Sequence, residues 1–233
     1  MFAFTIPLYA VQDDNDSLLE ALQYLKEQPD GSVLSWWDEG GWIQAYADKP
    51  TYLDSVAGQN EHRVELLSKI YAEKNSSKVN EFLEEYDIKY VLVSKDLMWK
   101  TYAMGLPQYM EYSFTKDYEA GNFPVKQFDN IHVMMKGDYY QSFMVSENDL
   151  IAIQHTYFLG ETYEYEGYDM FVGGGVYVYP DTSKLIFINE QLDNTFLTSL
   201  LFEKGNGFDV DINYENEGTF LYKVDCSCLR HEV

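Results

Sequence analysis

At 233 residues, 46% hydrophobic and 17% aromatic, the chain has enough apolar material to fold around a sizeable core, which excludes a disordered polymer. A formal net charge of −23, with arginine only at Arg63 and Arg230, excludes nucleic acid as a partner: phosphate is repelled and no arginine clamp is available to hold it. Cys226 and Cys228 are too close for an unstrained disulfide, and His62, His132, His155 and His231 show no metal-ligand spacing.

In chain order, residues 1–11 are apolar but about half the length of a membrane span, and Pro7 interrupts them. They lack the basic start of a signal peptide. They read as a short strand, a disordered start or a membrane-proximal stump, and with the polar residues 12–16 they form the first segment, 1–16. Ser17-Leu18-Leu19-Glu20 has the form of a capping box, and Leu18, Leu22 and Leu25 share a helical face that ends at Pro29-Asp30-Gly31. Residues 32–35 read as a short strand.

That strand delivers Trp36-Trp37-Asp38-Glu39-Gly40-Gly41-Trp42 as a loop. Tryptophan offers an apolar face and one N–H donor, ionised Asp38 and Glu39 only accept hydrogen bonds, and the glycines admit a tight turn or a close backbone. Together they can floor a pocket for a small hydroxyl or amide. A buried aromatic cluster beside an exposed acidic turn is the plainer reading of the same residues.

Residues 42–47 read as a helical turn, 51–53 as a second short strand and 54–58 as a loop. A helix opening at Gln59-Asn60 buries Val64, Leu67 and Tyr71. A second, capped by Ser76 or Ser77, repeats Val79, Phe82, Leu83 and Tyr86 at helical spacing. Residues 90–93 are a buried strand, which makes 32–93 an α/β crossover. Ser94-Lys95-Asp96 then stands where α/β folds place binding groups. An amphipathic segment follows from Asp96 to Met104, with Lys100 and Met104 four apart on one face; Met104 also suits an ordinary core position.

Beyond Pro107 helix periodicity disappears, and 108–180 read as irregular β structure with long loops. Gly173-Gly174-Gly175 runs into a strand, not a helix, and so is not a phosphate loop. The acidic aromatic run at 161–169 lacks the spacing of a calcium loop and reads as a solvated edge. Residues 185–188 are a buried strand. Asn194 can cap a short helix bearing Phe196, Leu197, Leu200 and Leu201, and 208–224 read as a hairpin.

Trp36-Trp37-Asp38-Glu39-Gly40 resembles the W-W-D-Y-G motif of oligosaccharyltransferase catalytic subunits, the archaeal ones especially, with Glu39 in place of Tyr. Asp96, Lys100 and Met104 resemble that family's D-x-x-K-x-x-x-M/I motif with one extra residue between Asp and Lys. The resemblance covers about 17–105 and 184–224. It implies a C-terminal soluble domain that binds the Ser/Thr of an Asn-X-Ser/Thr acceptor through Trp36, Trp37, Asp38, Glu39, Gly40, Lys100 and Met104, supported by Asp96. Met104 would then touch the Thr methyl, favouring Thr over Ser by about 1 kcal/mol. It also implies that a membrane-embedded transferase part, absent from this chain, carries the divalent metal and the lipid-linked oligosaccharide site. The expected partners are thus an acceptor polypeptide and that membrane part, at the extracytoplasmic face of the cell membrane. No cofactor is expected in this chain, nor transferase activity from it alone.

The expected fold class is α+β: a helix-rich α/β core (17–107) carrying the Trp-Trp-Asp loop, then a β-rich aromatic segment (108–183), then strands and a short helix (184–233) returning to the core. Two other functions stay open. In one, Trp36, Trp37 and Trp42 stack on sugar rings in a secreted carbohydrate-binding module. In the other, the chain is a degenerate non-catalytic homologue. A glycosidase pair built from Asp38 and Glu39 is disfavoured, because neighbours on one loop do not straddle a bond at the ~5–9 Å such pairs need.

Overall fold

The computed structural model describes residues 14–54, 61–137, 139–146, 149–159, 161–165 and 171–225. The expectations for 1–11, for the loop at 55–58, for the helix start at Gln59-Asn60 and for the two cysteines lie outside these residues.

Helix α1 (Asp14–Lys26) leads to strand β1 (Ser32–Leu34) and helix α2 (Trp37–Trp42), which runs directly into a π-helical turn (Ile43–Ala47). Helices α3 (Glu61–Tyr71) and α4 (Ser76–Glu85) precede strand β2 (Ile88–Ser94). Helix α5 (Leu97–Lys100) and a 3₁₀ turn (Thr101–Met104) follow. Then come β3 (Met110–Ser113), β4 (Lys116–Ala120), β5 (Phe123–Phe128), β6 (Ile131–Lys136), β7 (Tyr139–Ser146), β8 (Asp149–Phe158), β9 (Glu161–Glu164), β10 (Phe171–Val178) and β11 (Lys184–Asn189). Helix α6 (Phe196–Phe202) and the strands β12 (Val210–Glu215) and β13 (Thr219–Val224) close the chain order. The chain divides into two compact units, 1–64 with 80–97 and 209–233, and 65–79 with 98–208.

The first unit holds a four-stranded sheet in the order β1-β2-β13-β12. β1 and β2 are parallel, as the crossover reading requires, and the other pairs are antiparallel. Strand β2 is central and its apolar run Tyr90, Val91, Leu92 and Val93 is buried throughout, the pattern of a strand covered on both faces. On α1, Leu18, Leu22 and Leu25 pack with Val33, Ile43, Ala47, Leu92 and Leu221. The expected capping box is not formed: α1 starts at Asp14, so Ser17 lies inside the helix. The Ser17 hydroxyl instead meets Thr219 Oγ1 at 3.3 Å, and its carbonyl accepts from Asn216 Nδ2 at 2.8 Å. Residues 51–53 make no strand beyond a bridge to β1, in which Val33 N donates to Pro50 O and Tyr52 N to Val33 O, both at 2.9 Å.

The second unit corrects the expectation of irregular β structure. It contains a nine-stranded sheet with the path β3-β11-β10-β8-β7-β6-β5-β4 and β9 paired to β8. The two ends of that path are consecutive in sequence. Residues 110–113 pair with β11, and 116–120 pair with β5. Between them, Phe114 N donates to Ser183 O and Thr115 N to Gln127 O, each at 2.8 Å. One bent stretch therefore serves both edges, and the sheet curls on itself around Phe128, Ile131, Val133, Ile153, Val176, Val178, Leu185 and Phe187. Its hairpins turn tightly, as at Gly121 (φ +65°) and Asp129 (φ +52°). The triple glycine lies inside β10; a Cβ on Gly174 (φ +114°) would stand 2.4 Å from Ile188 O.

The return to the first unit starts at Asp209, not at 184, because β11 pairs with β10 and β3. The cap of α6 is Thr195, whose side chain accepts from Thr198 N, while Asn194 adopts φ +57° just before it. Asn75 caps α4 in place of the serines, its Oδ1 accepting from Ser77 N at 2.9 Å.

Candidate functional site

Buried Val33 and Leu34 of β1 carry the chain to Trp36, which is extended (φ −68°, ψ 152°), and α2 starts at the next residue. The tryptophan–aspartate stretch is therefore the first turn of a helix and not a loop. A helix sends successive side chains to different faces, and here they separate cleanly. Trp36 is 2% exposed and part of the core, whereas Trp37 is 39% exposed. Asp38 is half-buried beside Trp37. Glu39, 4% exposed, turns inward, and its Oε1 accepts from the Ser94 hydroxyl at 2.5 Å. The last residue of β2 thus holds the motif helix from beneath.

Gly40 is held by packing. A Cβ there would stand 2.2 Å from Leu53 O and 2.7 Å from Asp54 Cα, so the helix lies against the backbone of 53–54 at a distance no side chain allows. One turn on, Gln44 Nε2 donates to Asp54 Oδ2 at 2.9 Å and to Thr51 Oγ1 at 3.1 Å, fixing the same segment. The helix ends at Asp48 in a left-handed conformation (φ 54°). Lys49 is then buried, its ammonium donating to Gln28 O at 2.8 Å and to Asp30 Oδ1 at 3.1 Å. The motif helix is tied at one end to β2 and at the other to the turn after α1.

Exposed Trp37 and half-buried Asp38 thus stand on adjacent residues, with Asp38 Oδ1 buried and the rest of the carboxylate nearer the surface, and an indole beside a carboxylate can accept from a hydroxyl or amide while offering an apolar face. Beyond it Trp42 and Tyr46 stack with ring centroids 5.4 Å apart and planes 15° from parallel. Sequence reading did not find the stack, nor Ser94, Gln44 and Lys49 as supports. The aromatic spacing 42/46 was a visible signal; the Ser94 contact, 55 residues away, was not.

The second group of expected residues divides between the units. Asp96 belongs to the first unit and is half-buried. Lys100 and Met104 belong to the second. The α-helix stops at Lys100 and continues as a 3₁₀ turn, so the expected single helical face over 96–104 is broken. Met104 is buried, Lys100 half-buried, and Trp99 and Tyr102 are exposed.

The second unit also holds a buried polar network. Asp193 Oδ2 lies 2.6 Å from His155 Nδ1, and its Oδ1 accepts from the Tyr157 hydroxyl at 2.5 Å. Burial and the Asp193 charge push the Tyr157 hydroxyl well above its ordinary range. Glu203, also buried, accepts from the Thr162 hydroxyl. Among the described residues no three His, Cys, Asp or Glu side chains converge as metal ligands, and no helix is long and apolar enough to cross a membrane.

Residues 4–98 match the family model described as the AglB core domain. A Caenorhabditis elegans dolichyl-diphosphooligosaccharide–protein glycosyltransferase subunit, stt-3, is 35% identical over 80 residues, 34% of this chain and 10% of that protein. Dolichyl-phosphooligosaccharide-protein glycotransferase 2 of Archaeoglobus fulgidus is 33% identical over 85 residues, 35% of this chain and 14% of that protein. The chain thus spans a small fraction of the length of these relatives. In fold it is similar to the C-terminal domain of C. jejuni PglB, with a TM-score of 0.54 at 14% identity over 88% of this chain and 98% of that one.

Proposed function

We propose that this chain, which belongs with the C-terminal domains of oligosaccharyltransferase catalytic subunits, serves protein N-glycosylation by holding the Ser/Thr hydroxyl of an Asn-X-Ser/Thr acceptor. Asp38 accepts a hydrogen bond from the hydroxyl and the Trp37 indole covers the apolar side of the residue. The observation that carries this reading is exposed Trp37 next to half-buried Asp38 on a helix pinned through Glu39, Gly40 and Lys49. A recognition group so supported spends little free energy on its own ordering. Binding the acceptor two residues from the reacting Asn is catalysis by positioning. The lipid-linked oligosaccharide, the divalent metal and the bond-making step belong to a membrane-embedded part, at the extracytoplasmic face. Turnover is therefore not expected from this chain alone. Trp36 acts as the floor beneath the site, since its burial keeps it from a ligand; that also weighs against a three-indole sugar platform.

The test is a titration followed by NMR, with peptides containing Asn-X-Thr or Asn-X-Ala at millimolar concentration. The Trp37 indole signal should move with the Thr peptide and stay with the Ala peptide, and Asp38→Ala should abolish the difference. Equal shifts from both peptides would sink the reading.

A further inference from the structure

We infer that the stacked pair Trp42–Tyr46 is a second contact for the acceptor polypeptide, taking an aromatic or large aliphatic side chain that flanks the Asn-X-Ser/Thr triplet; this rests on the function proposed above. Side chains four apart follow one another along a helix surface. Asp38, Trp42 and Tyr46 form one such row, and Trp37, Gly41 and Ala45 form the row beside it. The first row is tall beyond Asp38 and the second is low beyond Trp37. The result is a ledge of small residues walled by two aromatic rings, leading away from the Trp37–Asp38 pair.

The wall is exposed. Trp42 is 38% and Tyr46 48% exposed, and Ala45 at the foot is exposed as well. In the same helix Glu39, Gly40, Ile43 and Ala47 face the interior, so the stacked pair lies off the buried face. The rings lie nearly parallel and stacked at 5.4 Å, so each stiffens the other and the pair keeps its outer faces and edges for another side chain. The occupant follows from continuity. A polypeptide held at Asp38 by one side chain has neighbours within one or two extended residues, about 3.3 Å each, of that point. The ledge admits its backbone along Gly41 and Ala45, and the wall meets a side chain large enough to reach it. No charged side chain of the row beyond Asp38 interrupts this surface, which selects an apolar flank.

Two peptide series decide this. One carries Phe or Leu at the positions flanking Asn-X-Thr, the other Gly at the same positions, and each has an Asn-X-Ala counterpart. For the 233-residue chain the apolar-flanked peptide should bind about five-fold tighter than the Gly-flanked one. Trp42→Ala and Tyr46→Ala should remove that advantage while leaving the Gly-flanked affinity unchanged, and Trp42→Phe should keep part of it. Circular dichroism melts confirm that the variants fold. Equal affinity of the two series in the unaltered chain, or equal loss for both in the variants, overturns the ledge. If Thr and Ala peptides bind alike yet the flank preference persists and falls with Trp42→Ala, the ledge stands and the hydroxyl reading falls. If Thr is preferred but flanks are ignored, the ledge alone is overturned.

Discussion

Ser94 donates its hydroxyl to Glu39 across 2.5 Å, joining the end of the central strand β2 to the first turn of the motif helix. Glu39 stands where the resembled motif has Tyr, and its burial makes the substitution a matter of core chemistry, not of the binding surface. Ser94→Ala should therefore destabilise the chain, because a buried carboxylate loses a donor. The cost is about 1–3 kcal/mol. Urea unfolding of the variant should show a lower midpoint with an unchanged slope. Glu39→Tyr should also lower the midpoint, since a larger ring must fit where a carboxylate now meets Ser94. An unchanged midpoint in both variants would refute the buried-anchor role.

Gly40 allows a sharper test of the same support. The alanine Cβ would lie 2.2 Å from Leu53 O, and both groups are backbone-bound, so neither can rotate away. Gly40→Ala should cost at least about 1–3 kcal/mol, as overpacking does. The same shift displaces Trp37 and Asp38, so Asn-X-Thr peptides should lose their preference over Asn-X-Ala peptides in NMR titration. A variant with normal thermal stability would show that the helix does not rest on 53–54.

The parts of this architecture legible in the sequence are those whose patterns reflect a single packing environment. Val79, Phe82 and Leu83 repeat at helical spacing because one side of α4 is buried, and 90–93 are uniformly apolar because β2 is covered on both faces. The curled sheet left no such mark. β4 is exposed along nearly its whole length, and its partner β5 carries Phe123 and Phe128 on opposite faces, the first exposed and the second buried, so no alternation of residue type there separates inside from outside. The Trp-Trp-Asp stretch was identifiable as a site by its residue types, but two glycines after an acidic pair read as a turn. They form a helix because Gly40 needs contact with 53–54, and Ser94 draws Glu39 inward. Both causes are tertiary, and neither is written in local propensity.

Asp193 is the hub of the second unit's polar network, holding His155 Nδ1 through one oxygen and the Tyr157 hydroxyl through the other. Asp193→Asn replaces one acceptor oxygen by a donor, so one of the two partners is left facing an N–H in a buried site. The variant should lose about 2 kcal/mol or more of unfolding free energy. Tyr157→Phe takes one donor from Asp193 Oδ1 but leaves His155 on the other oxygen and sets no two donors against each other, and should lose less, about 1–2 kcal/mol. Urea midpoints of the two variants measure the order. The reverse order would show that Tyr157, not Asp193, organises the network.

Glu203 gives this network a dependence on pH. Burial pushes its carboxyl above the ordinary 4.5; the Thr162 hydroxyl bond and His155 act in the opposite direction, and the Asp193 charge adds to the rise. The native state consequently binds this proton more readily than the unfolded chain does. Its contribution to stability is most favourable below the unfolded value, declines as pH rises through the raised native value, and is flat above it. Glu203→Gln keeps an acceptor for the Thr162 hydroxyl and removes the titration. At neutral pH the Gln variant should be more stable than the unaltered chain, and the gain should shrink towards zero as pH falls through the window that begins near 4.5. Urea unfolding at a series of pH values between 4 and 7.5 reads this directly. A stability difference that is constant across the series would mean that Glu203 does not titrate differently in the folded and unfolded states.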